Sequence, residues 1–211
     1  LPHDKGLTGP PMDWTAQQFV DYQKTFANLN KKVRDIGGHI GYYMHGESIS
    51  PYYCFSDKIY NCPRDQFPKD LQPPDGEWYR KNRLYEYPRQ DPNATPDWQR
   101  LWDPPKRRGE SYPVMSCQTK AWHDYMIKWA VDKYAFEYNC DVMYFDTVGA
   151  RPAFVNFNPY YDMYGVANWT EGLMTMFRKM RAKARTKVPD FTMLIEGCGD
   201  VYGLICGNMI S

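Results

Sequence analysis

Two segments of this chain share one pattern, and that pattern restricts the fold. Val142-Met143-Tyr144-Phe145 is a short apolar run that ends in Asp146 and passes into Thr147-Val148-Gly149. Phe191-Thr192-Met193-Leu194-Ile195 ends in Glu196 and passes into Gly197. The first run reads as a strand covered on both faces, and a helix-forming stretch separates the two. Strand–helix–strand units of this kind need a parallel sheet with right-handed crossovers. Each strand then delivers a carboxylate to the same end of the sheet, the end at which α/β folds bind ligands.

The rest of the chain fits around that unit. Residues 14–36 predict an amphipathic helix with Trp14, Phe19, Tyr22, Phe26, Leu29, Val33 and Ile36 as its stripe. Thr15 or Asp13 can cap its start, and Gly37-Gly38 stops it. His39 to His45 reads as a strand, and so does Tyr112 to Cys117. Between them, residues 48–110 form a long insertion without sustained periodicity. Short helices are expected there near 76–84 and 96–102, and a loop of that length tends to carry function. Thr119 to Tyr138 and Asn168 to Lys187 predict two further helices, and residues after the Glu196 strand form a Gly-rich tail. The fold class is therefore α/β, with residues 1–211 forming part of a parallel (β/α)8 TIM-type barrel. A closed barrel needs eight strands and typically about 250 residues. The strands legible here make up about half of one, so the expected partner is the remainder of a barrel, from the same or another chain.

Two acids on neighbouring strands are the minimum equipment for cleaving a glycosidic bond. Retaining enzymes hold the two carboxyl groups ~5 to 5.5 Å apart and inverting ones ~6.5 to 9.5 Å. Adjacent strands lie ~4.8 Å apart, so strand-end carboxylates reach either separation. Asp146 and Glu196 are the candidate catalytic pair. Tyr43 within the first strand, His45 and Glu47 at or beyond its end, and Asp200 in the turn after Glu196 are candidate substrate-binding residues. The competing reading of each acid is a cap or an ion pair, and of His45 a ring satisfied by backbone. His123 falls inside a helix and reads as structural. No HxH or HExxH spacing supports a metal, and no GxSxG, phosphate-loop or dinucleotide fingerprint is present, so neither metal nor cofactor is expected.

The strings Val114-Met115-Ser116-Cys117, Trp122-x-x-Tyr125, Asp141-Val142-Met143-Tyr144-Phe145-Asp146 and Ile195-Glu196-Gly197-Cys198 carry a resemblance. Together they resemble the barrel of an uncharacterised bacterial family, domain of unknown function 6259, grouped with glycoside hydrolase-type barrels. The likeness runs from about residue 14 to 202. The placement of the acids is also similar to α-amylase-type and endo-α-N-acetylgalactosaminidase barrels. In those, an Asp ending the fourth strand is the nucleophile and a Glu ending the fifth is the acid/base. The resemblance therefore implies Asp146 as nucleophile and Glu196 as acid/base, acting on an α-glycoside in a poly- or oligosaccharide. Amylase-type enzymes carry an Arg two residues before the nucleophile; Tyr144 stands there instead. The alternative is a non-catalytic carbohydrate-binding or structural subunit of a larger assembly.

Composition narrows the partners. The net charge is +1 over 211 residues, which gives no support for nucleic acid. No apolar run reaches the roughly 18 residues of a membrane span. The chain holds 18 Tyr, 10 Phe and 7 Trp, many in polar, Pro-rich stretches. There they either stack on sugar rings or pack the long loops onto the scaffold, and packing is the reading preferred for most of them. Of six cysteines, Cys54 and Cys62 have the spacing of a local disulfide, Cys198 and Cys206 repeat it, and Cys117 and Cys140 read as buried thiols. An extracellular or periplasmic location is expected, and two Asn-x-Thr sequons stand at Asn93 and Asn168.

Overall fold

The computed structural model describes residues 15–49, 54–59, 62–84, 117–149, 155–160, 169–197, 203 and 206–209. The chain is a mixed α/β protein. Strands β1 (Gly41–His45), β4 (Val142–Asp146) and β5 (Thr192–Glu196) form a parallel sheet. A short strand, β6 (Gly207–Met209), extends it beside β5. A two-residue hairpin pair, β2 (Lys58–Ile59) and β3 (Cys62–Pro63), stands apart. The helices are α1 (Ala16–Asp35), α2 (Gly76–Asn82), α3 (Lys120–Ile127) and α4 (Trp169–Ala184). Beyond Ile127, α3 runs on as a π-helix, Lys128–Glu137.

Helix α1 begins and ends where its sequence dictates. Thr15 Oγ1 accepts from the Gln18 amide, and the Gln18 side chain accepts from the Thr15 amide, a reciprocal capping box. At the other end Gly37 takes a φ of 83°. The Gly37 amide donates to the Arg34 carbonyl and the Gly38 amide to the Val33 carbonyl, each at 2.9 Å. That pair of bonds is a Schellman motif, and its left-handed residue is best served by glycine. The buried face of α1 differs from the expected stripe. Phe19 is buried, yet Leu29 is 56 % and Ile36 85 % exposed. Asn30 is buried in their place and donates to the Tyr138 carbonyl at 2.7 Å. A polar side chain won that position because it satisfies a buried carbonyl that Leu29 could not.

Strand register sorts every side chain onto one of two faces. Tyr42, Met143 and Met193 are in register, as are Met44, Phe145 and Ile195. This set faces the helices. Tyr42 stacks on Tyr134 at 4.1 Å between centroids, and Phe145 meets Phe177 of α4 at 5.1 Å. Leu173, Met176, Phe177, Met180 and Ala184 recur along one side of α4 and are all fully buried. Burying a side chain such as Phe145 stabilises the fold by about 1.5–3 kcal/mol. Helix α4 approaches closely because position 172 is glycine; a Cβ there would collide with the Cys117 carbonyl oxygen. The other face carries Tyr43, His45, Tyr144, Asp146, Leu194 and Glu196, all exposed or half-buried. The β4 run is thus covered fully on one face only, not on both as the sequence implied. Among the described residues the helices pack on that one face.

The described part of the insertion is tied to this scaffold. Trp78 of α2 packs on Trp122 and Tyr125 of α3, at 6.2 and 5.4 Å between centroids. Phe67 meets Phe19 edge-on. These rings fasten the insertion to the scaffold, as the packing reading expected. The expected helix near 76–84 is α2; the expected helix near 96–102 and residues 112–116 of the expected strand lie outside the described residues. The Gly-rich tail, by contrast, contains strand β6. Cys54 and Cys62 are buried thiols that form no disulfide, which corrects the expected cross-link. The Cys62 thiol instead donates to Gln66 Oε1 at 3.3 Å, and burial pushes the Cys54 thiol up to about 12. Cys117, Cys140 and Cys206 are also buried thiols outside any disulfide; Cys198 lies outside the described residues.

Ion pairs at two seams set a pH dependence. Lys133 is drawn inward with its amine 2.5 Å from Asp70 and 2.9 Å from Glu137. Its bonds to both acids outweigh the burial that opposes its charge, and its pKa is raised. Lys133 holds Asp70 below the usual carboxylate range, and Arg34 does the same to Asp190. A depressed acid contributes stability above its unfolded value near 3.9 and loses it as pH falls through the lower folded value. A raised lysine contributes below about 10.4 and loses it as pH rises through the higher folded value. Denaturant midpoints should therefore fall below about pH 4 and above about pH 10. The raised Cys54, Tyr42, Tyr43 and Tyr144 add to the alkaline fall, so Lys133→Met should remove only part of it, measured by urea titration at several pH values. An alkaline limb unchanged by that substitution would assign it to other groups.

Candidate active site

The carboxyl end of the sheet gathers the residues with chemistry. His45 and Asp146 are register partners as the last residues of β1 and β4. The same register carried one residue past Phe145 and Ile195 sets Glu196, the last residue of β5, beside Asp146. Both acids are half-buried and share the face away from the helices. Neighbouring parallel strands put their ends ~4.8 Å apart.

Each acid has a defined set of contacts. The Tyr43 hydroxyl donates to Asp146 Oδ2. His45 Nδ1 lies 3.4 Å from the same oxygen, with both side chains largely buried. The Thr147 amide donates to Glu196 Oε2 at 2.8 Å. Burial raises the Tyr43 phenol, and the bond to Asp146 and the charges of Asp146 and Glu196 raise it further. Tyr43 therefore stays protonated and acts as a donor. Burial and the same two acids also raise Tyr144, which pairs with Tyr43 across the strands at 5.6 Å between ring centroids. Two aromatic rings thus line the open face one step below the acids.

The remaining expected residues are placed as follows. Glu47 is fully buried rather than open to solvent, close enough to raise the Cys117 thiol after burial itself. Asp200 lies outside the described residues. His123 is fully buried with Nε2 2.8 Å from the Cys117 carbonyl, the structural role expected of it. Sequence reasoning missed Thr147. Its φ of 67° puts a β-branched residue in the left-handed region, where such residues are outliers. No local signal marks it, because the partner of its turn, Glu196, is distant in sequence.

Two other features lie away from the acids. His39, Asp141 and Asp190 bring ligand atoms within 4.8 Å of one another at the amino ends of the strands. Arg34 already occupies that place: its guanidinium bonds Asp141 and takes Asp190 at 2.8 and 3.0 Å. Asp141 Oδ1 also accepts from the Ile40 amide at 2.6 Å. This cluster stitches α1 to the sheet. A small cavity on the helix face is lined by Phe19, Tyr22, Phe26, Tyr42, Tyr134 and Tyr138 among others. Burial pushes the Tyr42 phenol there up to about 12. Among the described residues no helix is long and apolar enough to cross a membrane. Comparison of the chain with protein-family models, with curated proteins and with solved structures found no match.

Proposed function

We propose that this chain is the carbohydrate-active part of a (β/α)8 barrel and that it hydrolyses an α-glycoside with retention. The observation that carries this reading is the pair Asp146 and Glu196, side by side on one face at the carboxyl ends of adjacent parallel strands. Asp146 attacks the anomeric carbon and breaks the bond to the leaving oxygen, which takes the Glu196 proton. Water then gives its proton to Glu196 as its oxygen displaces Asp146 from the sugar. Tyr43 and His45 flank Asp146 and face the sugar ring. The substrate is a poly- or oligosaccharide, met outside the cytoplasm, and the remaining barrel strands come from the same or another chain.

The test is turnover of a panel of aryl α-glycosides by the full-length protein. Release of the aryl alcohol with net retention at the anomeric carbon, followed by NMR, is expected. Binding of oligosaccharide without turnover of any member would instead favour the non-catalytic subunit.

A further inference from the structure

We infer that Thr147 is a positioning residue for Glu196, and that its left-handed backbone is what aims that acid. The inference deepens the glycosidase reading and rests on it for its catalytic consequence. Thr147 touches both strand ends. Its amide donates to Glu196 Oε2 at 2.8 Å, and its hydroxyl donates to the Asp146 carbonyl at 2.7 Å. Its φ of 67° turns the chain sharply as it leaves β4. The turn lays Gly149 directly against the Glu196 backbone, where a Cβ would collide with the Glu196 carbonyl oxygen. A β-branched residue holds such a conformation only where its surroundings over-determine it, and such sites cluster where geometry serves function.

The arrangement has a chemical consequence. An amide N–H can only donate, so Oε2 is held as an acceptor and Oε1 is left to carry or take the catalytic proton. Thr147 thereby selects which oxygen of Glu196 works, without touching substrate. The hydroxyl bond to the Asp146 carbonyl, that of its own peptide bond, holds the left-handed turn locally.

Two readouts test this. The first needs no turnover: the Thr147 amide proton and nitrogen shifts are followed by NMR against pH. His45, Asp146, Tyr43 and Tyr144 also face this site, so the control is Glu196→Gln, which keeps an acceptor but cannot titrate. The Thr147 amide should move with one acid titration that Glu196→Gln abolishes, and Thr147→Gly should retain it. The second readout is turnover of an activated aryl glycoside. Thr147→Gly loses the hydroxyl but adopts the left-handed region without its help and keeps the amide, so kcat should fall less than in Thr147→Val. Thr147→Val loses the hydroxyl and keeps a branch that disfavours the left-handed region, so kcat should fall about tenfold or more with KM little changed. An amide that titrates identically in wild type and Glu196→Gln would overturn the inference. A titrating amide in a protein that turns over no glycoside would leave Thr147 coupled to Glu196 and remove the glycosidase reading instead.

Discussion

Asp146→Asn should abolish turnover of every glycoside the wild type accepts, a loss on the order of 10⁴-fold or more. Asparagine keeps an oxygen for the Tyr43 hydroxyl, so the fold and the open face should be unchanged. What disappears is the nucleophile itself, and no leaving group compensates for that. Glu196→Gln should behave differently. Glutamine still offers an oxygen to the Thr147 amide but cannot give a proton. Substrates with good leaving groups need little protonation, so their first step should survive while poor ones lose rate steeply. A Brønsted plot of the first step against leaving-group pKa separates the two roles. Equal losses across leaving groups for Glu196→Gln would remove its assignment as acid.

The largest effect on stability is expected at Trp122. Its ring is fully buried between Trp78 and Tyr125 and touches both the insertion and α3. Trp122→Ala leaves a cavity lined by rigid aromatic neighbours and should cost about 3–5 kcal/mol. For a chain of this length that lowers the melting temperature by on the order of 10 °C. Trp122→Phe should cost much less. The indole Nε1 is buried with no hydrogen-bond partner among the described residues, so losing it removes an unsatisfied donor and offsets part of the lost packing. Differential scanning calorimetry of both variants gives the comparison. Equal destabilisation by Phe and Ala would mean that the indole nitrogen has a partner worth as much as the ring.

The sequence made the frame legible because its signals there are local. Thr15, Gln18 and the Gly37-Gly38 pair carry the ends of α1 in their own chemistry. The apolar runs before Asp146 and Glu196 mark β4 and β5 to within a residue or two, and their register then follows from one shared crossover. Other features depend on contacts distant in sequence. Lys133 in a buried position reads as an error until Asp70 and Glu137 close on it. The π-helical continuation of α3 shifts the period away from 3.6, so Ala130 and Ala135 are buried where a 3.6-residue period does not mark them. Strand β6 is too short and too glycine-rich to carry a strand pattern. The Cys54–Cys62 spacing suggested a bond that the hairpin geometry does not make. For the site, the acids and His45 were legible as strand-end residues, and Tyr43 as a residue within the same strand as His45. The burial of Glu47 and the part played by Thr147 were not, because both arise from neighbours that only the folded chain brings close.

The central claim is that Asp146 is a nucleophile paired with Glu196. The most direct measurement is covalent trapping by an activated fluorosugar, in which a slow second step lets the glycosyl-enzyme accumulate. The full-length protein is incubated with α-configured fluoroglycosyl fluorides, digested, and the labelled peptide sequenced by mass spectrometry. The account predicts one sugar per chain, esterified to Asp146, absent from Asp146→Asn and retained in Glu196→Gln. A label on Glu196, or turnover of the same sugars with no label on Asp146, would contradict it.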